Sequence, residues 1–274
     1  MVLLHFLERK MELETLTEIG IEIRNEIGSF ITGNKDYGEM ITQRPKDITR
    51  KMDMAAEKAL DCALLKRGLS ARVISEELGD RTVGKNPDFM LVFDPIDGST
   101  NATCGIPFFC TSIAYTEKTD IATFDDITMA VICDIQGNVY HAQKGKGAFL
   151  NGKRISGSKQ GTRPKPVVSV YSYGVPHVPA GLVELEKKII VRALGSIALD
   201  MCFVADGTLD GIMDTRGLVS GYDIMASALI LEEAGGRLTD LGGDNITGNV
   251  QGTGFSLIGT RNPELHEMIV SKLS

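Results

Sequence analysis

The chain has 274 residues, 43% of them hydrophobic, a formal net charge of −7 and five cysteines. That length can bury one substantial core or two subdomain cores, and no apolar run approaches a membrane span. A net negative charge without a basic run argues against general nucleic-acid binding, and an odd cysteine count without a Cys-x-x-Cys pair argues against a zinc site or a disulfide framework.

At the start of the chain, Met1-Val2-Leu3-Leu4-His5-Phe6-Leu7 is too short for a signal-peptide core with its cleavage site and lacks a basic start. Cytoplasm is therefore the expected location. Helical periodicity covers 12–30 and then 52–65, with Asp53 at the start of the second helix. Lys46-Asp47-Ile48-Thr49 precedes that second helix, so Asp47 reads equally as a plain N-cap and as a functional acid. Residues 71–75 form a short strand that runs directly into Glu76-Glu77.

The next strand, 89–93, ends in Asp94-Pro95-Ile96-Asp97-Gly98-Ser99-Thr100-Asn101. Two carboxylates thus stand at the mouth of a buried strand, directly before backbone amides that would face a phosphate if a turn or helix begins there. Hard oxygen ligands of this kind suit Mg²⁺, which is held by a few carboxylates together with substrate phosphate oxygens. The same residue types also make ordinary turns. An EF-hand is excluded, because the position needing a bidentate Glu, eleven residues after Asp94, is Gly105.

A meander of strands follows at 110–117, 127–135 and 138–142, with a hairpin over 145–153. Up to this point the order is α+β. Residues 156–164 are the most linker-like stretch, which divides the chain into subdomains 1–155 and 156–274. Beyond it, strands at 167–171, 189–193, 211–214 and 255–259 alternate with helices near 182–188 and 198–205, an α/β order. Tyr222-Asp223 precedes a helix that stops at Gly235-Gly236. The four histidines are scattered, with no metal spacing among them.

Taken together and in order, Glu76-Glu77 after Ile-Ser, Asp94-Pro-Ile-Asp-Gly-Ser, and Asp223 before a helix ending Glu-Glu-Ala-Gly-Gly resemble the inositol monophosphatase family. These are Mg²⁺-dependent sugar-phosphate phosphatases that include archaeal enzymes acting on fructose 1,6-bisphosphate. The resemblance runs from about residue 13 to the C-terminus and implies an α-β-α-β-α layered sandwich with the site between its halves. It implies two to three Mg²⁺ ions: one on Glu76, Asp94 and the carbonyl of Ile96, a second on Asp94, Asp97 and Asp223, and a weaker third on Glu76 with waters. It also implies that Ser99 and Asp47 position the attacking water. Glu77 would either orient a water on the metal or support its neighbours, and the amides of Gly98, Ser99 and Thr100 would grip the phosphate.

Two positions depart from the commonest family pattern. Tyr222 stands where many relatives have Trp, and Asp214-Thr215-Arg216-Gly217 resembles the archaeal dual-activity branch. Arg216 could meet a second phosphate or simply pair with Asp214. Ser196 could bond a sugar hydroxyl or cap the following helix. The implied substrate is a small phosphorylated sugar or polyol, inositol monophosphate or fructose 1,6-bisphosphate foremost, and the implied assembly is a homodimer with no membrane contact. The overall negative charge would oppose such an anion unless bound cations reversed the field locally. Two other readings stand beside this one: a 3′-phosphatase for adenosine 3′,5′-bisphosphate, and a relative with an added role in binding the transcription machinery.

Overall fold

The computed structural model describes residues 11–44, 47–155, 163–176 and 179–273, with the side chains of Arg44 and Asp47 outside that description. Most of the linker-like stretch expected at 156–164 therefore lies outside the described residues.

Helix α1 (Leu13–Gly33) buries Leu16, Ile19, Ile23 and Ile27, an apolar stripe at three- and four-residue spacing. A hairpin of β1 (Met40–Arg44) and β2 (Asp47–Arg50) leads into α2 (Lys51–Lys66). Arg50, not Asp47, occupies the N-cap of α2, and the Asp53 carboxylate accepts the Arg50 N–H at 2.7 Å. Next come β3 (Ala71–Ser75), β4 (Gly79–Val83), β5 (Phe89–Asp97), the one-turn α3 (Ser99–Thr103) and β6 (Cys110–Thr116). The first half closes with β7 (Met129–Asp134), β8 (Val139–Gln143), β9 (Gly147–Leu150) and β10 (Lys153–Arg154). The second half contains β11 (Val167–Tyr171), α4 (Ala180–Glu186), β12 (Ile190–Arg192), α5 (Ile197–Asp206), β13 (Gly211–Ser220), α6 (Gly221–Glu233), β14 (Arg237–Thr239), β15 (Thr253–Thr260) and α7 (Pro263–Leu273).

The described strands beyond the β1–β2 hairpin form an eight-stranded sheet in the order β10-β9-β8-β7-β6-β5-β3-β4 and a five-stranded sheet in the order β12-β11-β13-β15-β14. Strand alternation assigns their faces. Val73, Phe89, Leu91 and Phe93 pack with α1 and α2, whereas Ile74, Met90 and Val92 pack with α5 and α6. The opposite face of α5 and α6 meets Ile212 and Leu257 of the second sheet, whose outer face, Val168, Met213 and Ile258, is covered by α4 and α7. The result is the α-β-α-β-α sandwich.

One irregularity in this scaffold places the acidic residues. Asp94 pairs with Ser112 and Asp97 with Cys110, so β5 spends three steps where β6 spends two. Pro95, which has no N–H for the ladder, sits in that bulge. Strict alternation would send residues 94 and 97 to opposite faces; the extra residue brings both to the α5–α6 side. The strand therefore includes the whole Asp94–Asp97 segment rather than stopping at Phe93.

Candidate metal and phosphate site

Carboxylate oxygens of Glu76, Asp94 and Asp223 lie within 4.8 Å of one another. Each comes from a different element. Glu76 follows β3 and keeps its edge in place, its N–H bonded to the Phe93 carbonyl at 3.2 Å. Asp94 lies near the end of β5. Asp223 is the third residue of α6, inside the first turn rather than ahead of the helix, because Ser220 takes the N-cap and Asp223 accepts the Ser220 N–H at 2.7 Å.

The electrostatics of this group call for a cation. Asp94 is 1% exposed, and its Oδ1 has no hydrogen-bond partner among the described residues. Burial, followed by the charges of Glu76, Asp97 and Asp223, pushes its carboxyl well above the usual range. Burial likewise raises Asp223 to about 7, with the Ser220 amide opposing, the charge of Asp97 adding to the rise and that of Arg216 countering it. Three converging carboxylates with an open buried oxygen form a hard-donor set that fits a divalent cation of the Mg²⁺ type.

Asp97 stands beside this group rather than within it. Its Oδ2 accepts the Ser196 hydroxyl at 2.5 Å and the Ala198 N–H at 2.7 Å, and its Oδ1 receives the Ile197 N–H at 3.3 Å. Burial raises Asp97 to about 6 against these bonds. Ser196 is itself fully buried and caps α5 by accepting the Leu199 N–H. Its hydroxyl is thus engaged inside the protein, with Asp97 and with the α5 cap, the second of the two roles its sequence position offered. Ile96 belongs to the β5 bulge, and with Pro95 it has no register partner on β6.

Gly98 has φ +94°, and a Cβ there would meet the Phe108 carbonyl oxygen at 3.0 Å and the Gly195 oxygen at 3.2 Å. Only glycine fits this turn. Ser99 and Thr100 form the first turn of α3, Ser99 half-buried and Thr100 exposed. Asn101, given no role from sequence, ties this turn to the other half of the molecule: its Nδ2 donates to the carbonyls of Phe108 and Leu194, both at 2.7 Å. Thr49, also without an assigned role, donates its hydroxyl to Glu77 and so fastens the end of β2 to the Glu76-Glu77 turn. Asp47 lies in β2, and its side chain is outside the described residues.

Arg216 sits in a wide bulge of β13, between the paired residues Asp214 and Val219. Its Nε and Nη2 bond Asp214 Oδ2 at 3.0 and 2.6 Å, and its guanidinium lies 4.8 Å from the Tyr171 ring centroid and 5.1 Å from that of Tyr173. Asp214 therefore occupies the Nε/Nη2 edge of the guanidinium. Behind this stack, Asp200 accepts the hydroxyls of Ser169 and Tyr171 at 2.5 and 2.6 Å.

The family model described as "Inositol monophosphatase family" matches residues 9–274. Over 257 residues the chain is 36% identical to a fructose-1,6-bisphosphatase/inositol-1-monophosphatase of Methanothermobacter thermautotrophicus, covering 89% of this chain and 90% of that protein. It is 34% identical over 269 residues to a fructose-1,6-bisphosphatase of Pyrococcus furiosus, covering 96% of this chain and all (100%) of that protein. Among solved structures, a Pyrococcus horikoshii protein described as having similarities to inositol-1 monophosphatase matches with a TM-score of 0.78 and 30% identity, over 96% of this chain and 100% of that one.

Proposed function

The chain belongs to the inositol monophosphatase family and is a phosphoric monoester hydrolase, and on that footing we propose that it is a Mg²⁺-dependent phosphatase for inositol monophosphate and fructose 1,6-bisphosphate. The observation that carries the metal dependence is the convergence of Glu76, Asp94 and Asp223, with Asp94 Oδ1 buried and open and the Gly98 turn directly following in the chain. Those three residues, with Asp97 and the Ile96 carbonyl, would hold two to three ions. Bound Mg²⁺ would acidify the attacking water and neutralise charge on the phosphoryl and leaving oxygens.

The chain's own residues supply the rest. The amides of Gly98, Ser99 and Thr100 hold the phosphate, in a turn whose shape depends on the positive φ of Gly98. Ser99, with Asp47 as its acceptor, orients the water for attack opposite the leaving group. Glu77 is held by Thr49 and supports the metal-side carboxylate next to it. Ser196 acts from behind, fixing Asp97. Arg216 stiffens the wall facing the sugar by its stack with the two tyrosines. The protein works as a cytoplasmic homodimer in this reading; no described helix is long and apolar enough to cross a membrane.

Phosphate release from inositol 1-phosphate, fructose 1,6-bisphosphate and adenosine 3′,5′-bisphosphate, measured side by side at fixed Mg²⁺, tests the substrate class. Turnover of the first two with little of the third is expected. Release from the adenosine compound alone would overturn the assignment.

A further inference from the structure

Ser112 lies directly across the sheet from Asp94, in register between β5 and β6. Its neighbours on that face of β6, Cys110 and Ala114, are both packed into the core shared with α5 and α6. A hydroxyl in that setting is costly unless it has a partner. Ser112 is 1% exposed, and its Oγ has no hydrogen-bond partner among the described residues. Asp94 Oδ1, on the opposing residue, is in the same condition.

We propose that Ser112 is a positioning residue whose hydroxyl donates to Asp94 Oδ1 and fixes the plane of that carboxylate for cation binding. Directly opposed residues of an antiparallel pair have Cβ atoms about 4.5–5.5 Å apart, so rotation of the serine about χ1 brings its hydroxyl to the carboxylate. The carboxylate's own terminal torsion is broad. An acid that must present its oxygens to cations in fixed directions therefore needs an outside group to hold it, and such groups around a metal site typically change affinity about 10–100-fold when removed. The inference rests on the metal-site reading above.

Thr111 supplies an internal control. It is also buried and its Oγ1 also lacks a partner among the described residues, but it is the next residue along β6 and so points to the α1 side, away from Asp94. Lack of a partner is thus common to both, and only Ser112 faces an open carboxylate oxygen.

The test measures Mn²⁺ affinity by electron paramagnetic resonance, and the Mg²⁺-induced rise in melting temperature, for the wild type and for Ser112→Ala, Thr111→Val and Asp94→Asn. Ser112→Ala should weaken Mn²⁺ binding by about 10-fold or more and shrink the Mg²⁺-induced rise. Its metal-free melting temperature should fall modestly, since the buried Asp94 carboxylate loses its donor. Thr111→Val should leave metal affinity unchanged. Unchanged affinity in Ser112→Ala alongside lost binding in Asp94→Asn would overturn this proposal and leave the metal site standing. Equal weakening in Ser112→Ala and Thr111→Val would overturn it too, as a general loosening of β6. Unchanged binding in Asp94→Asn would overturn the metal site itself.

Discussion

Asp94→Asn is expected to cut phosphate release by at least about 10²-fold, the scale of losing one transition-state stabiliser, while the metal-free protein stays folded and becomes no less stable. The two effects have opposite signs for one reason. Without cations, Asp94 is a buried acid crowded by Glu76, Asp97 and Asp223, so its neutral isostere relieves repulsion. With cations, the same residue is the central acid of the group, and removing its charge weakens their hold. Melting curves with and without Mg²⁺, read beside steady-state rates, separate these contributions. A folded variant that keeps more than half the activity would remove Asp94 from the site.

Arg216→Ala should destabilise the protein by about 3–5 kcal/mol, the usual result of leaving one member of a buried ion pair alone. Asp214 is fully buried, and it accepts the Arg216 backbone N–H at 2.8 Å as well as the guanidinium. Truncation would strand that carboxylate and also remove the guanidinium from its contact with the Tyr171 and Tyr173 rings. Adding Asp214→Asn should restore much of the loss, because the stranded charge is then gone. Activity on inositol 1-phosphate and on fructose 1,6-bisphosphate should fall together. A loss confined to the bisphosphate, with melting temperature unchanged, would show instead that Arg216 reaches the second phosphate.

The contrast at Arg216 shows where sequence reading reaches its limit. An Arg two residues after an Asp carries no signal of whether it faces a ligand or its neighbour. The bulge that holds it interrupts alternation over residues 215–218, and for the same reason the strand reads as 211–214 although it continues to Ser220. Where one face is buried and regular, reading was close. Residues 71–75 are legible as a strand because they alternate between two cores, and Asp94 stands out because an apolar run leads into it. The β1–β2 hairpin escaped because Met40 and Ile41 are 48% and 53% exposed, so no buried face marks it.

Other features were present as local signals. Ser220-Gly221-Tyr222-Asp223 has the spacing of a capping box, which puts Asp223 inside the helix. Asn262-Pro263 marks the start of α7, and Asn262 Oδ1 accepts the N–H groups of Glu264 and Leu265 at 2.9 and 3.2 Å. The links that hold the site together were beyond reach. Thr49 to Glu77, Asn101 to Leu194 and Ala198 to Asp97 join residues 28, 93 and 101 positions apart, and no periodicity encodes such pairs.

Phosphate release from inositol 1-phosphate by protein stripped of divalent cations, followed as Mg²⁺ is restored, tests the central claim most directly. The predicted result is no turnover above background in chelator and saturable recovery with Mg²⁺, abolished in Asp94→Asn at every concentration tried. Turnover that persists undiminished in chelator would contradict it.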